Sequence, residues 1–221
     1  NNVSFVMIFY HYHQELLLMN TVLPYFFFAL FAYLIGSIPV AYLIGQKIRN
    51  VDIREVGEGN VGARNVFHTV GHQWGSIAFL GDFGKGILVA AVVSQESKSV
   101  IALSGFFLLL GHGFPVWLKF IGGKGLSPVG GFTATLLPMS SMVGIGFSVL
   151  VWLSVRKFMP TTVVVIVCAV GLAPFFGYST SRILITIGLF ALVGVKRKID
   201  EPRTKNIERD NEWNRLTGGI I

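Results

Sequence analysis

Between residues 21 and 195 the sequence keeps returning to one pattern: an apolar run, a short polar or glycine-rich break, and another apolar run. The runs are Thr21–Gly45, Gly75–Val93, Val100–Val116, Leu126–Leu137, Ser140–Val155, Thr161–Gly177 and Arg182–Val195. About twenty apolar residues in an α-helix cross the ~30 Å hydrocarbon core of a bilayer. A helix also satisfies its backbone polar groups within its own segment, which hydrocarbon demands. Charged residues make up 13% of the chain, against about 25% in soluble domains. The expected fold is all-α: a polytopic integral membrane protein with about seven transmembrane helices, some short or broken. The net charge of +7 then needs no nucleic acid, because basic residues mark cytoplasmic loops and the anionic inner leaflet. The lipid bilayer is the expected partner. Cys168 is the only cysteine, which excludes an intrachain disulfide, and its apolar run suits an inert buried thiol.

The breaks carry the chemistry. Gly111–Gly125 reads GHGFPVWLKFIGGKG. Glycines at 111, 113, 122, 123 and 125, with Pro115, stop a helix. Irregular backbone at membrane depth is tolerated only where it is buried in protein or lines a polar cavity. Glycine lets peptide N–H groups approach a ligand and form an anion-binding nest, and Lys124 adds a full positive charge. An anion site for phosphate and a plain helix–loop joint with a snorkelling lysine fit this stretch alone equally well. The short run Leu126–Leu137, ending at Pro138, has the pattern of a half-helix whose N-terminus points at an anion.

A second glycine- and asparagine-rich break lies in the polar loop Gln46–Gln73: Gly57-Glu58-Gly59-Asn60-Val61-Gly62-Ala63-Arg64-Asn65. It too suits phosphate, through backbone N–H and side-chain amide donors, although such residues also dominate ordinary turns. In the second run Asp82 and Lys85 stand three apart, share a helical face and are expected to pair. Neither Lys85 nor Lys124 is followed by Ser or Thr, so neither belongs to a Walker A loop. His11 and His13 form an isolated pair with no partner cluster, and no metal site is expected. Gly144 and Gly146 read as helix-packing positions, Gly36 and Pro39 as a kink in the first span, and Trp213 as an interfacial anchor.

Lys47, Arg49, Arg54, Arg64, Lys119, Lys124, Arg156, Lys157 and the basic tail from Lys196 fall on one side of seven alternating crossings, with only Lys98 and Arg182 on the other. The positive-inside bias therefore places the N-terminus outside and the C-terminus in the cytoplasm. Both glycine-rich loops and the tail share the cytoplasmic face and are able to converge. Three segments are expected: residues 1–18 as a non-native or upstream extension before Met19, 19–199 as the membrane domain, and 200–221 as a solvated cytoplasmic tail.

GSIPVAYLIGQ, GEGNVGARNVFHTVG, LGDFGKG, GHGFPVWLKFIGGKG and the tail NIERD resemble, in order and spacing, the bacterial acyl-phosphate:glycerol-3-phosphate acyltransferases, the PlsY family. The resemblance runs from about Leu34 to Arg209. It implies seven membrane helices with the active site at the cytoplasmic face. It also implies transfer of a fatty acyl group from acyl phosphate to the sn-1 hydroxyl of glycerol 3-phosphate, giving lysophosphatidic acid at the plasma membrane, with no cofactor. Residue by residue it implies catalytic roles for Lys124, Asn60 and Asn206. It implies phosphate binding by Gly59, Gly62, Asn65, Gly122, Gly123 and Gly125, and support by Asp82, Lys85 and His112. The family's first loop reads Gly-Ser-Gly-Asn-x-Gly-Ala-Thr-Asn-x-x-Arg; here Glu58 stands for the serine, Arg64 for the threonine and His68 for the arginine. Arg203 stands nearest the place of the family's tail histidine. Arg64 joins the phosphate-binding set as the cation that offsets Glu58, and His68 and His112 are candidate bases.

Acyl phosphate is a mixed anhydride with a good leaving group. Positioning the hydroxyl and neutralising the leaving phosphate supply most of the acceleration expected, and no Ser–His–Asp set is needed. Two other readings use the same residues: a catalytically weak or inactive relative that binds an anionic lipid or phosphometabolite, and a small transporter built on half-helices.

Overall fold

The computed structural model of the chain describes residue 19 and residues 22–210. The readings of residues 1–18, of His11 and His13, and of Trp213 lie outside the described residues. Within them the protein is helical, with no strand. Four helices are long and apolar enough to cross a membrane: Val22–Arg49, His72–Val93, Lys98–Leu118 and Pro138–Val155.

The first of these is broken where the sequence kinks it. Helix α1 (22–37) stops before Ile38 and Pro39, and α2 (Val40–Arg49) resumes. Gly36 and Gly111 sit at the crossing of α1 with α5 (Lys98–Gly113). A Cβ at Gly36 would lie 2.3 Å from the Leu108 carbonyl oxygen, and one at Gly111 2.2 Å from that of Tyr33. Hydrogen replaces a side chain there because the backbones touch. α4 (His72–Val93) and α6 (Leu126–Leu136) are held together the same way. A Cβ at Gly86 would meet the Pro128 carbonyl oxygen at 1.9 Å, and one at Gly131 that of Phe83 at 2.0 Å. At about 1.5 Å per residue, α6 is too short to cross alone, as its sequence implied. Leu137 turns the chain into α7 (Pro138–Val155). Gly144 packs against Val165 of α8 (Phe158–Gly171), whereas Gly146 meets nothing within 4 Å.

Three boundaries differ from the sequence reading. The polar loop 46–73 contains a short helix, α3 (Ala63–Thr69). The loop is a folded cap with its own small core: Ile53, Val61, Val66 and Val70 bury against Ala41, Ala78 and Leu118. The run expected to span Thr161–Gly177 starts earlier and ends at Gly171, followed by a 3-10 turn, Ala173–Phe176. Pro174 has no N–H to continue the helix. The tail is no loose extension. α9 runs unbroken from Thr180 to Asp210, through Pro202 and past residue 200. Pro202 and Lys198, whose carbonyl loses its donor, are both exposed, so that carbonyl is open to solvent rather than stranded in the core.

The main core lies where α4, α5, α6 and α9 meet, around Phe132, Leu108, Val89 and Leu189. Much of the outer surface is apolar, Phe175, Met142 and Leu153 among others, as a hydrocarbon solvent requires. The ends of the helices sort consistently. Arg182 donates to the Ser94 carbonyl at 3.3 Å and the Met139 N–H donates to Tyr178 Oη at 3.0 Å, joining the α4–α5, α6–α7 and α8–α9 turns at one end. Arg54 donates to the Leu118 carbonyl at 3.1 Å and Arg203 to the Arg54 carbonyl at 3.4 Å, joining the first loop, the 115–125 turn and the end of α9 at the other.

Candidate active site

At that second end an open cavity of about 380 Å³ is lined by all three polar segments. Glu58, Asn60 and Arg64 come from the first loop and α3, Lys124 and Ser127 from the GGKG turn and the start of α6, and Arg197 and Glu208 from α9. Asp82 and His112 also line it. Away from the charges the wall becomes apolar: Phe79, Phe158, Met159, Val163, Ile166 and Phe190. Phe79, Phe158 and Val163 are themselves exposed on the outer surface, so the apolar side opens laterally. The site is amphiphilic, with a charged head and a greasy flank. Among the described residues no group of three or more His, Cys, Asp or Glu is arranged to hold a metal ion.

The GGKG turn is built by contact with the end of α5. The Gly122 N–H donates to the Gly113 carbonyl at 3.2 Å and the Gly123 N–H to the His112 carbonyl at 3.0 Å. Neither N–H is aimed at the cavity, so Gly122 and Gly123 do not supply the ligand donors expected of them. These glycines serve close approach: a Cβ at Gly122 would lie 2.2 Å from the His112 carbonyl oxygen, and one at Gly123 2.2 Å from His112 Nε2 and 2.4 Å from the Val61 carbonyl. Gly125 has φ +90 and caps α6 from the left-handed region, where a side chain is strained. Gly125, Leu126 and Ser127 at the start of α6 face the cavity, which puts the positive end of that helix there. Lys124 rises from this turn with its side chain 19% exposed.

Lys124 is met by a carboxylate. Glu58 is 3% exposed, with Oε2 3.2 Å from Arg64 Nη1 and 3.8 Å from Lys124 Nζ. Its Oε1 accepts from Asn60 Nδ2 at 3.5 Å. The sequence reading of Arg64 as the offset to Glu58 corresponds to this ion pair. Asn60 Oδ1 is buried and accepts no hydrogen bond, an acceptor left over at the cavity wall.

Asn65 has a different place from the one expected. It is fully buried. Its Nδ2 donates to the carbonyls of Ile53 at 2.9 Å, Val56 at 3.0 Å and Asn60 at 3.1 Å, and its Oδ1 accepts from the Glu58 N–H at 3.2 Å. The side chain is the brace that folds the first loop, and its donors are spent on backbone rather than on a ligand. Gly59, with φ +62, touches the tail: a Cβ there would lie 2.6 Å from Ile207. Gly62 lines the cavity and caps α3 with extended backbone, φ −157. His68 lies one turn beyond Arg64, exposed and away from the cavity lining.

The predicted Asp82–Lys85 pair forms, with Nζ 2.6 Å from Oδ1, both residues buried. Lys85 also donates to the Ile38 carbonyl, which lies at the break before Pro39 and accepts from the Val40 N–H as well. The pair therefore satisfies the break between α1 and α2. His112 Nδ1 is 3.8 Å from Asp82 Oδ1 and its ring lies under Gly123. These three residues tie α1, α4, α5 and the GGKG turn into one support.

On α9 the expected residue is not the one that faces the site. Asn206 is exposed and does not line the cavity; Glu208 does. Once the tail is a helix, 100° per residue turns Thr204, Ile207 and Glu208 inward and Asn206 outward. Burial pushes the Glu208 carboxyl above its ordinary value, and the negative charge of Glu58 adds to the rise. Arg197 and Glu208, three helical turns apart, reach the same cavity. Helical projection would have found both, but the sequence reading took the tail as a solvated extension. Lys196, read only as part of a basic cluster, is buried, donates to Asp200 and packs its stem on Gly113.

Residues 26–205 match the family model described as glycerol-3-phosphate acyltransferase. Glycerol-3-phosphate acyltransferase 1 of Dehalococcoides mccartyi is 37% identical over 184 residues, covering 77% of this chain and 86% of that protein. Glycerol-3-phosphate acyltransferase of Bacillus subtilis is 34% identical over 185 residues, covering 79% of this chain and 94% of the relative. The crystal structure of PlsY (YgiH), an integral membrane glycerol 3-phosphate acyltransferase, in its glycerol 3-phosphate form superposes with a TM-score of 0.71 at 29% identity, covering 89% of this chain and 94% of that one. The lysophosphatidic acid form of the same protein gives 0.69.

Proposed function

The chain belongs to the glycerol-3-phosphate acyltransferase family, and from that premise we propose that it moves a fatty acyl group from acyl phosphate to the sn-1 hydroxyl of glycerol 3-phosphate. It is an integral membrane acyltransferase of glycerol lipid synthesis. The observation that carries the finer reading is the shape of the cavity: cations at one end and an apolar flank open at the side. An acyl phosphate is an amphiphile of that form. Its chain lies along Phe79, Phe158, Met159 and Val163, and its phosphate faces Lys124, Arg64 and Arg197.

The hydroxyl oxygen of glycerol 3-phosphate attacks the acyl carbonyl carbon. The bond between that carbon and the phosphate oxygen breaks, inorganic phosphate departs, and the hydroxyl proton passes to a phosphate oxygen. Lysophosphatidic acid remains in the bilayer. Lys124 and the positive end of α6 stabilise the charge that builds on the leaving phosphate. Asn60 Oδ1, the unused buried acceptor, orients the attacking hydroxyl. Asp82, Lys85 and His112 hold the floor rigid. Purified protein given palmitoyl phosphate and glycerol 3-phosphate should release phosphate and form lysophosphatidic acid in equal amounts. Phosphate release that does not depend on glycerol 3-phosphate would remove the acyl-transfer reading.

The same reading places this end of the protein in the cytoplasm, with about seven crossings and the N-terminus outside, because the cations gather there. A cysteine at Ser97 should react with an impermeant thiol reagent added to intact cells and one at Asn50 should not. The reverse pattern would put the site on the outer face.

A further inference from the structure

A protein carboxylate stands among the cations that line the cavity. Glu58 Oε2 lies 3.2 Å from Arg64 Nη1 and 3.8 Å from Lys124 Nζ, and Oε1 is held by Asn60 at 3.5 Å. Its backbone N–H is pinned by Asn65 at 3.2 Å, so the loop that carries the carboxylate is itself fixed. At 3% exposure the charge is not shared with water; it is balanced by these two cations. We propose that Glu58 is a specificity-determining residue: an internal anion that occupies the phosphate seat and sets how tightly the site takes a phosphate dianion. The proposal rests on the reading of this cavity as the acyl-transfer site.

If a phosphate enters beside Glu58, two anions share a poorly solvated space and repel. If Glu58 swings aside, its charge-assisted hydrogen bonds are lost and must be replaced. Either way, part of the attraction of Lys124 and Arg64 is spent before the ligand arrives. The other charged groups on the cavity do not reverse this. Arg197 from α9 adds a third cation, Glu208 from the same helix a second carboxylate, and Asp82 on the floor is already paired with Lys85. Arg64 is thereby committed more to Glu58 than to the substrate. The chemical consequence is weak retention of small phosphate anions, including the inorganic phosphate that the reaction releases.

The test uses the full chain in detergent or nanodiscs, with inorganic phosphate as the probe and glycerol 3-phosphate as a second ligand. Equilibrium binding is measured for the wild type, Glu58→Gln and Glu58→Ser, each alone and with Arg64→Gln. Both Glu58 substitutions should tighten phosphate binding about tenfold or more. Arg64→Gln should weaken phosphate binding several-fold more in the Glu58→Gln background than alone, because there the guanidinium no longer balances the Glu58 charge. Unchanged or weaker phosphate binding in both Glu58 variants would overturn the proposal. So would failure of both variants to fold, which would make the carboxylate a keystone of the loop, or a collapse of turnover at saturating substrates with unchanged binding, which would make it a base. The acyl-transfer reading fails separately: a wild type without acyl transfer, whose Glu58 variants still bind phosphate more tightly, would keep the occupied seat and lose the reaction.

Discussion

Removing Lys124 probes the site most directly. Unit charges about 4 Å apart interact by about 4 kcal/mol at an effective dielectric of ~20. Two features of the structure reduce the share available to the reaction. The Lys124 side chain is 19% exposed, and its Nζ is already 3.8 Å from Glu58. About 3 kcal/mol of transition-state stabilisation remains, a factor of roughly 10² or more in kcat/KM. Lys124→Ala should lose that factor while staying folded and inserted, since the turn is fixed by Gly122 and Gly123 against Gly113 and His112 rather than by the lysine. Lys124→Arg should restore little, because the turn is packed tightly beneath the side chain and a planar guanidinium is larger. Lys119 is the control: it is exposed and outside the cavity lining, and Lys119→Ala should leave the rate within a few-fold. The assay is phosphate release from palmitoyl phosphate at subsaturating glycerol 3-phosphate, with size-exclusion profiles confirming the fold. A Lys124→Ala rate within threefold of wild type would refute the placement of the leaving phosphate at the GGKG turn.

The Asp82–Lys85 pair predicts a stability effect. Lys85→Met leaves a carboxylate 2% exposed without its ammonium and should cost about 3–5 kcal/mol. The double change Asp82→Asn with Lys85→Met should recover part of that in thermal unfolding, and equal losses in the single and double variants would deny the pairing. For Glu208, burial first and Glu58 second raise the folded carboxyl above the unfolded value of 4.5. Below that value the folded and unfolded states are both protonated. As pH rises past it the unfolded chain loses its proton first, so this group's contribution to stability falls. Glu208→Gln should therefore melt higher than wild type at pH 8 and converge with it below pH 4.5. Asn206→Ala, on the outward face of the same turn, should change neither melting nor rate; a large loss of rate would return the tail contact to Asn206.

The membrane class, the all-helical fold and the identity of the three polar segments were legible along the chain, because each depends on local quantities. Apolar run length decides whether a segment crosses, and glycine and proline decide where it breaks. The Asp82–Lys85 pair is likewise set by a spacing of three on one helix. Direction was harder. Asn65 and Asn60 stand in the same loop with the same side chain, yet Asn65 turns in to brace three carbonyls and Asn60 faces the cavity. Nothing local distinguishes them, since the choice depends on how the loop closes over Ile53 and Leu118. Gly122 and Gly123 were read as donors to a ligand, and packing against α5 used both donors for itself. The tail was read as solvated because its composition is polar; the contacts of Ile207 with Gly59 and of Arg203 with the Arg54 carbonyl hold it as a helix. Sequence alone determined that this chain lives in a bilayer and gathers its cations and glycines at one end, because hydrophobicity and backbone freedom belong to each residue by itself. Only the tertiary structure decided which residues face the cavity, and that Glu58 rests between Arg64 and Lys124, because that requires side chains far apart along the chain to meet within a few ångströms.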